Sequence, residues 1–249
     1  MPVQKARCTS LQMYMFLDER VEAVDPGSRL IVGCVVCEKL RWDDAASAAS
    51  EIGALGARRR LHAIDSFLRQ VRGFALLGYA DLSGSVLAYG ERDATADIPR
   101  MSRTNNLWSQ LFLCDVAAAL AWIRRSGITQ ASLHVHYDPR DITEPHRRAM
   151  REVLDVNLAS IATEDPDTAE RDPSLSYDFP EFEEVPKPEP GQTPNTKQHG
   201  TAIAHHLCTQ SSRVIERGGL GSVRAVNHIE SVAEITRGFL QDQSENGAG

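Results

Sequence analysis

Two short apolar runs near the start of the chain constrain its fold most. Leu11-Gln12-Met13-Tyr14-Met15-Phe16-Leu17 is apolar nearly throughout and is followed by Asp18-Glu19-Arg20. Leu30-Ile31-Val32-Gly33-Cys34-Val35-Val36-Cys37 is a second run, rich in β-branched residues, which suit a pleated surface. Strands this apolar must be covered on both faces. The turn residues Asp25-Pro26-Gly27-Ser28 separate them, so the simplest arrangement is an antiparallel pair inside a layered α/β domain.

The pattern then alternates. From Trp42 to about Arg72, Ala45, Ala49, Ile52, Leu55, Leu61, Ile64 and Leu68 recur at helical spacing, and Gly53 and Gly56 mark a place to split the segment into two helices. Phe74 to Leu82 reads as a strand and Glu91 to Ser102 as a loop. Leu107 to Arg125 reads as a helix capped by Asn105 or Asn106 and stopped by Gly127. Ala131 to Tyr137 is a strand, and Thr143-Glu144-Pro145 opens a helix to about Ala162. Helices are expected again from about His199 to Arg217, and from Val223 or Ser231 to Leu240. The expected fold is a three-layer α/β domain with a mixed β-sheet flanked by helices.

Residues 163–198 differ in kind. They hold seven of the twelve prolines, and between Glu164 and Pro190 ten acids face two bases. That segment carries −8, so the rest of the chain is near neutral at +1 although the whole is −7. The expected organisation is an α/β core over 1–162, an acidic Pro-rich insert or linker over 163–198, C-terminal helices completing the core over 199–240, and a frayed tail over 241–249. A neutral core is not barred from an anionic partner such as nucleic acid, and if the chain is a catalytically inactive binding module, the acidic insert is expected to be a docking segment for a protein partner. Of 27 basic residues 23 are arginine, clustered at Arg58-Arg59-Arg60, Arg124-Arg125 and Arg147-Arg148 with Arg151. These suit phosphate oxygens or, more plainly, solvated helix faces.

No apolar run is long enough to span a bilayer, so no membrane partner is expected. Five cysteines in 249 residues are no disulfide framework. The start, Met1 to Cys8, lacks the apolar stretch of a secretory signal. Together these read as a reduced, cytoplasmic chain.

Three sets of residues are candidates for chemistry. On the strand His134-Val135-His136-Tyr137-Asp138, alternate side chains share a face, so His134, His136 and Asp138 line one side. Two imidazoles and a carboxylate in that register are a donor set for a transition metal and a small-molecule metallohydrolase. The plainer reading puts both histidines in the core and Asp138 at a turn. Asp18 and Glu19 stand at the end of the first strand, where open α/β sheets gather ligands. If the two strands pair in parallel, Asp18 and Asp138 become neighbours and attract a hard cation. Cys34 and Cys37 form a C-x-x-C inside a strand instead of at a helix start, and read as core thiols. Gly218-Gly219-Leu220-Gly221 reads as a stop signal.

Three segments together resemble a known family. The strand ending Phe16-Leu17-Asp18-Glu19 resembles the opening of a large prokaryotic family of unknown function with an RNase H-like fold, whose first strand ends in Asp-Glu-Ser. The strand ending Tyr137-Asp138 is similar to that family's later acidic strand. Gly200-Thr201-Ala202-Ile203-Ala204-His205-His206-Leu207-Cys208 is similar to its closing helix, where Gln-Leu-Ala-Asp is usual. The resemblance covers most of residues 11–217 apart from the insert. It implies carboxylates from two neighbouring strands and two helices around paired Mg²⁺ ions that promote phosphodiester cleavage. By position, Asp18 and Asp138 would be catalytic and metal-binding, with His205 a third metal ligand for Mg²⁺ or Mn²⁺. Arg20 replaces the family's serine and His205 its final aspartate, and imidazole is a poorer partner for Mg²⁺ than carboxylate. Candidates for the remaining carboxylate are Glu91, Asp93 and Asp115.

The expectation is therefore a divalent-metal-dependent, nuclease-like phosphodiesterase acting on nucleic acid. The alternatives are a catalytically inactive RNase H-like module that binds a protein or nucleic-acid partner, and the metallohydrolase.

Overall fold

The computed structural model describes residues 11–24, 27–81, 111–112, 114–116, 118–120, 123, 131–138 and 181–228. The elements are β1 (Leu11–Val24), β2 (Gly27–Glu38), α1 (Lys39–Ala54), α2 (Ala57–Gln70), β3 (Phe74–Asp81), β4 (Ala131–Tyr137), β5 (Glu181–Glu184), α3 (Thr196–Cys208), α4 (Ser211–Glu216), β6 (Gly219–Leu220) and β7 (Val223–Asn227). The described residues between 111 and 123 are helical.

The strands form one mixed sheet in the order β5-β4-β1-β2-β3-β7-β6. β1, β2 and β3 are successive antiparallel neighbours. β4 runs parallel to β1 and β5 parallel to β4. On the far side β7 runs parallel to β3, and the β6–β7 hairpin closes that edge.

Period-two alternation divides the core between the two faces. Met13, Met15, Leu17, Val32, Cys34, Val36, Leu133, Val135 and Tyr137 pack against Leu111, Phe112, Val116, Leu120 and Ile123. Tyr14, Phe16, Ile31, Val35, Ala75 and Leu77 pack on the other face against Trp42, Ile64, Leu68, Ile203, Ala204 and Leu207. This is a helix–sheet–helix sandwich, as the two-sided apolar runs demand. Each fully buried Leu, Ile or Phe contributes about 1.5–3 kcal/mol.

β1 continues past its charged stop. Glu19, Arg20 and Val21 pair with Val32, Ile31 and Leu30, so charge along β1 ends the buried section and not the strand. The helical region splits at Leu55-Gly56, and Arg60 donates to the carbonyls of Gly53 and Leu55, both at 2.9 Å, closing the end of α1. One arginine of the 58–60 cluster is therefore spent on structure.

Three expectations are corrected. Residues 163–198 are not all linker. Glu181–Glu184 forms an edge strand, Val185 is buried, and α3 begins at Thr196. The helix expected from His199 starts earlier because Asn195 and Gln198 make a capping box, each side chain bonding the other's backbone N–H at 2.9 Å. It breaks at Thr209-Gln210 before α4. Val223 opens a strand and not a helix. Gly218, Gly219 and Gly221 adopt positive φ, which turns the chain into the β6–β7 hairpin, and Asp65 accepts from Ser222 N–H at 2.6 Å to hold it. The expected elements and tail at 82–110, 139–180 and 229–249 lie outside the described residues.

Candidate functional site

The parallel register pairs Leu17 with Tyr137. The next residue on each chain segment is a carboxylate, so Asp18, which closes the buried section of β1, and Asp138, which follows the end of β4, stand side by side where the apolar part of each strand ends. Both belong to the face that carries Tyr14, Phe16, His134 and His136.

The third residue is delivered by α3, which seats closely because two glycines permit it. A Cβ on Gly33 would lie 2.6 Å from the Ala204 carbonyl oxygen and 2.8 Å from Cys208 Sγ. A Cβ on Gly200 would collide with the Phe16 ring. With the helix backbone on the sheet, His205 Nδ1 lies 2.7 Å from Asp18 Oδ2. The Asp18 side chain is 7% exposed and that of His205 58%. Burial pushes the Asp18 carboxyl above its usual value; the hydrogen bond and charge of His205 pull it down, Asp138 raises it and Lys187 lowers it.

Asp138 has its own cation. Lys187 Nζ lies 3.3 Å from Asp138 Oδ2. The lysine is 82% exposed, so the pair adds less than about 1 kcal/mol to stability. Its consequence is local charge: each strand-end carboxylate faces a basic side chain from its own chain. Arg20, two residues beyond Asp18 on the same face, is exposed.

The oxygen and nitrogen donors that could approach a divalent ion here are Asp18, Asp138 and His205. Among the described residues no group of three His, Cys, Asp or Glu side chains is close enough to hold an ion. Asp18 Oδ2 is engaged by His205, Asp138 Oδ2 is faced by Lys187, and one of the three donors is a nitrogen where Mg²⁺ prefers oxygen. As they stand, these residues do not fit a resident Mg²⁺ or Mn²⁺ ion.

His134 and His136 share the face with Asp138 without converging on it. His134 Nε2 lies 2.5 Å from Gln12 Oε1. His136 is buried, stacked on Phe16 with ring centroids 5.4 Å apart, and edge-on to Tyr14. Neither of its ring nitrogens has a hydrogen-bond partner among the described residues. Burial pushes its pKa down to about 4, against the raising effect of Glu183, whose Oε2 is 3.5 Å away and is itself held by Lys197 at 2.6 Å. His136 is thus a neutral core imidazole, and the three-residue metallohydrolase set does not assemble.

Of the candidates for a further carboxylate, Asp115 lies on the opposite face of the sheet. A Cβ on Gly78 would collide with it, and His228 Nε2 bonds its Oδ1 at 2.9 Å. It is a fully buried partner of His228, with burial raising its pKa. Glu91 and Asp93 lie outside the described residues. Cys34 and Cys37 are free, buried thiols pushed well above their usual pKa by burial.

Sequence reasoning missed Lys187, which it counted only as a base in an acidic run. The available signal was its setting: a lone lysine between Pro186 and Pro188. It also missed the Asp115–His228 pair, whose members are 113 residues apart.

Compared with known proteins, the chain matches no protein-family model and no curated protein.

Proposed function

We propose that this chain is an RNase H-like module that engages nucleic acid through its strand-end surface without divalent-metal catalysis. The observation that carries the reading is the pairing where the buried part of β1 and the end of β4 meet: Asp18 with His205, and Asp138 with Lys187. The RNase H-like assignment is supported by two neighbouring carboxylates, Asp18 within β1 and Asp138 after the parallel strand β4, with the closing helix laid across the first of them. Carboxylates engaged by an imidazole and an ammonium of the same chain repel a phosphate less, and the exposed Arg20 and Lys187 around them offer it charge-assisted hydrogen bonds.

Fluorescence anisotropy with labelled single-stranded and duplex oligonucleotides in EDTA tests this. Binding is expected, weakening as salt rises because contacts are to phosphate, and unchanged when Mn²⁺ replaces EDTA. Absence of binding at low salt contradicts the reading.

The second reading is the metal-dependent phosphodiesterase. It is favoured by the adjacency of Asp18 and Asp138, whose like charge raises the Asp18 pKa further. Cleavage of the oligonucleotide in Mn²⁺ that is lost in Asp18→Asn would establish it in place of the first.

A further inference from the structure

We infer that Lys187 is a built-in cation, held at Asp138 by a fixed backbone, and that it suppresses divalent-metal binding at the strand-end carboxylates. The inference rests on the module reading above and supplies a reason that its acidic pair does not suit a resident ion.

The backbone leading into Lys187 is anchored to two elements. One residue before Pro186, the buried Val185 donates its N–H to Tyr137 O at 2.8 Å, immediately next to Asp138. The Pro186 carbonyl accepts from Gln198 Nε2 of α3 at 2.7 Å. Pro186 and Pro188 restrict the chain from both ends, since each proline fixes its own φ and narrows the residue before it. The lysine stem therefore leaves a rigid strap tied to both β4 and α3, the elements that carry Asp138 and His205. Its ammonium lies 3.3 Å from Asp138 Oδ2, and its charge is felt at Asp18 as well. One flexible side chain on a fixed base thus faces Asp138 directly and reaches Asp18 only through its charge. A divalent ion entering there meets a positive charge within a few ångströms and must displace it.

Lysine 197 provides the contrast. It comes from the start of the same helix and belongs to the same face, but its ammonium is bonded to both oxygens of Glu183, at 2.7 and 2.6 Å. Removing either lysine changes the net charge equally, and only Lys187 faces Asp138.

The test is Mn²⁺ binding to the full chain, read by electron paramagnetic resonance of the free ion, for the parent, Lys187→Gln, Lys187→Met and Lys197→Gln. The exposure of Lys187 makes its replacement compatible with folding, and a thermal melt checks this. The parent is expected to bind Mn²⁺ weakly. Both Lys187 variants should bind on the order of ten-fold more tightly, as loss of a like charge at contact distance requires, and Lys197→Gln should match the parent. The inference is overturned by unchanged affinity in the Lys187 variants, by an equal gain in Lys197→Gln, or by no measurable Mn²⁺ binding in any of the four. Nucleic-acid binding in EDTA is a separate measurement. Its failure would remove the module reading and leave the Mn²⁺ result standing.

Discussion

His136 shows how a residue's type and its environment can point in different directions. On paper it alternates with His134 and Asp138 like a metal ligand. In the fold it lies against Phe16 beneath the helical layer, with a pKa near 4. An imidazole that is neutral when folded and free to protonate when unfolded favours the unfolded state as pH falls from about 6.5 to about 4. Above 6.5 it has no such effect. The shift amounts to about 3 kcal/mol. His206, also pushed to about 4 by burial and by Arg60, acts in the same window. Asp18 and Asp115, whose pKa values are raised, act oppositely and stabilise the folded state on the acid side. Comparing parent with His136→Phe cancels those shared terms. The variant should gain about 3 kcal/mol on the parent between pH 7 and pH 4 in urea unfolding. Parallel curves across that range would show that His136 is not a buried neutral group. Alternation along β4 was readable in the sequence. The role was not, because burial depends on a helix 60 residues further on.

At the scale of elements, close seating of α3 on β1 and β2 is what creates the candidate site. Gly33 and Gly200 make that approach possible, and the helix then carries His205 onto Asp18. Gly33→Ala should lower stability by about 1–3 kcal/mol, the cost of overpacking. It should also lift α3, loosening the His205–Asp18 contact. In a strand interior the same change otherwise gains about 0.5–1 kcal/mol, so the sign of the effect is decisive. Denaturant unfolding that finds the variant as stable as the parent would contradict this packing. β1, β2, β3 and β4 were legible because buried strands leave long apolar runs. The Asn195/Gln198 cap was written in the sequence also, with Asn195 four residues before the expected helix start. β5 and β7 were not legible. β5 is four residues long, and three of them are glutamate. β7 alternates too briefly to be told from a helix, and its pairing with β3 closes a loop of well over a hundred residues.

For the molecule as a whole, the sheet order explains why distant segments meet. β4 inserts parallel to β1, so residues 18 and 138 become neighbours, and β5 adds at the edge and brings Lys187 back over them. The neutral balance of the chain outside its acidic segment agrees with a surface open to an anionic partner. No helix among the described residues is long and apolar enough to cross a membrane. The central claim is that Asp18 and Asp138 are engaged by His205 and Lys187 and do not drive metal-dependent cleavage. Nucleic-acid cleavage in Mn²⁺ by the parent, Asp18→Asn and His205→Asp measures it directly. Equal, background-level cleavage by parent and Asp18→Asn is expected, with His205→Asp gaining metal-dependent activity if a third carboxylate completes the donor set. Cleavage by the parent that disappears in Asp18→Asn would contradict the claim and make the chain a working nuclease.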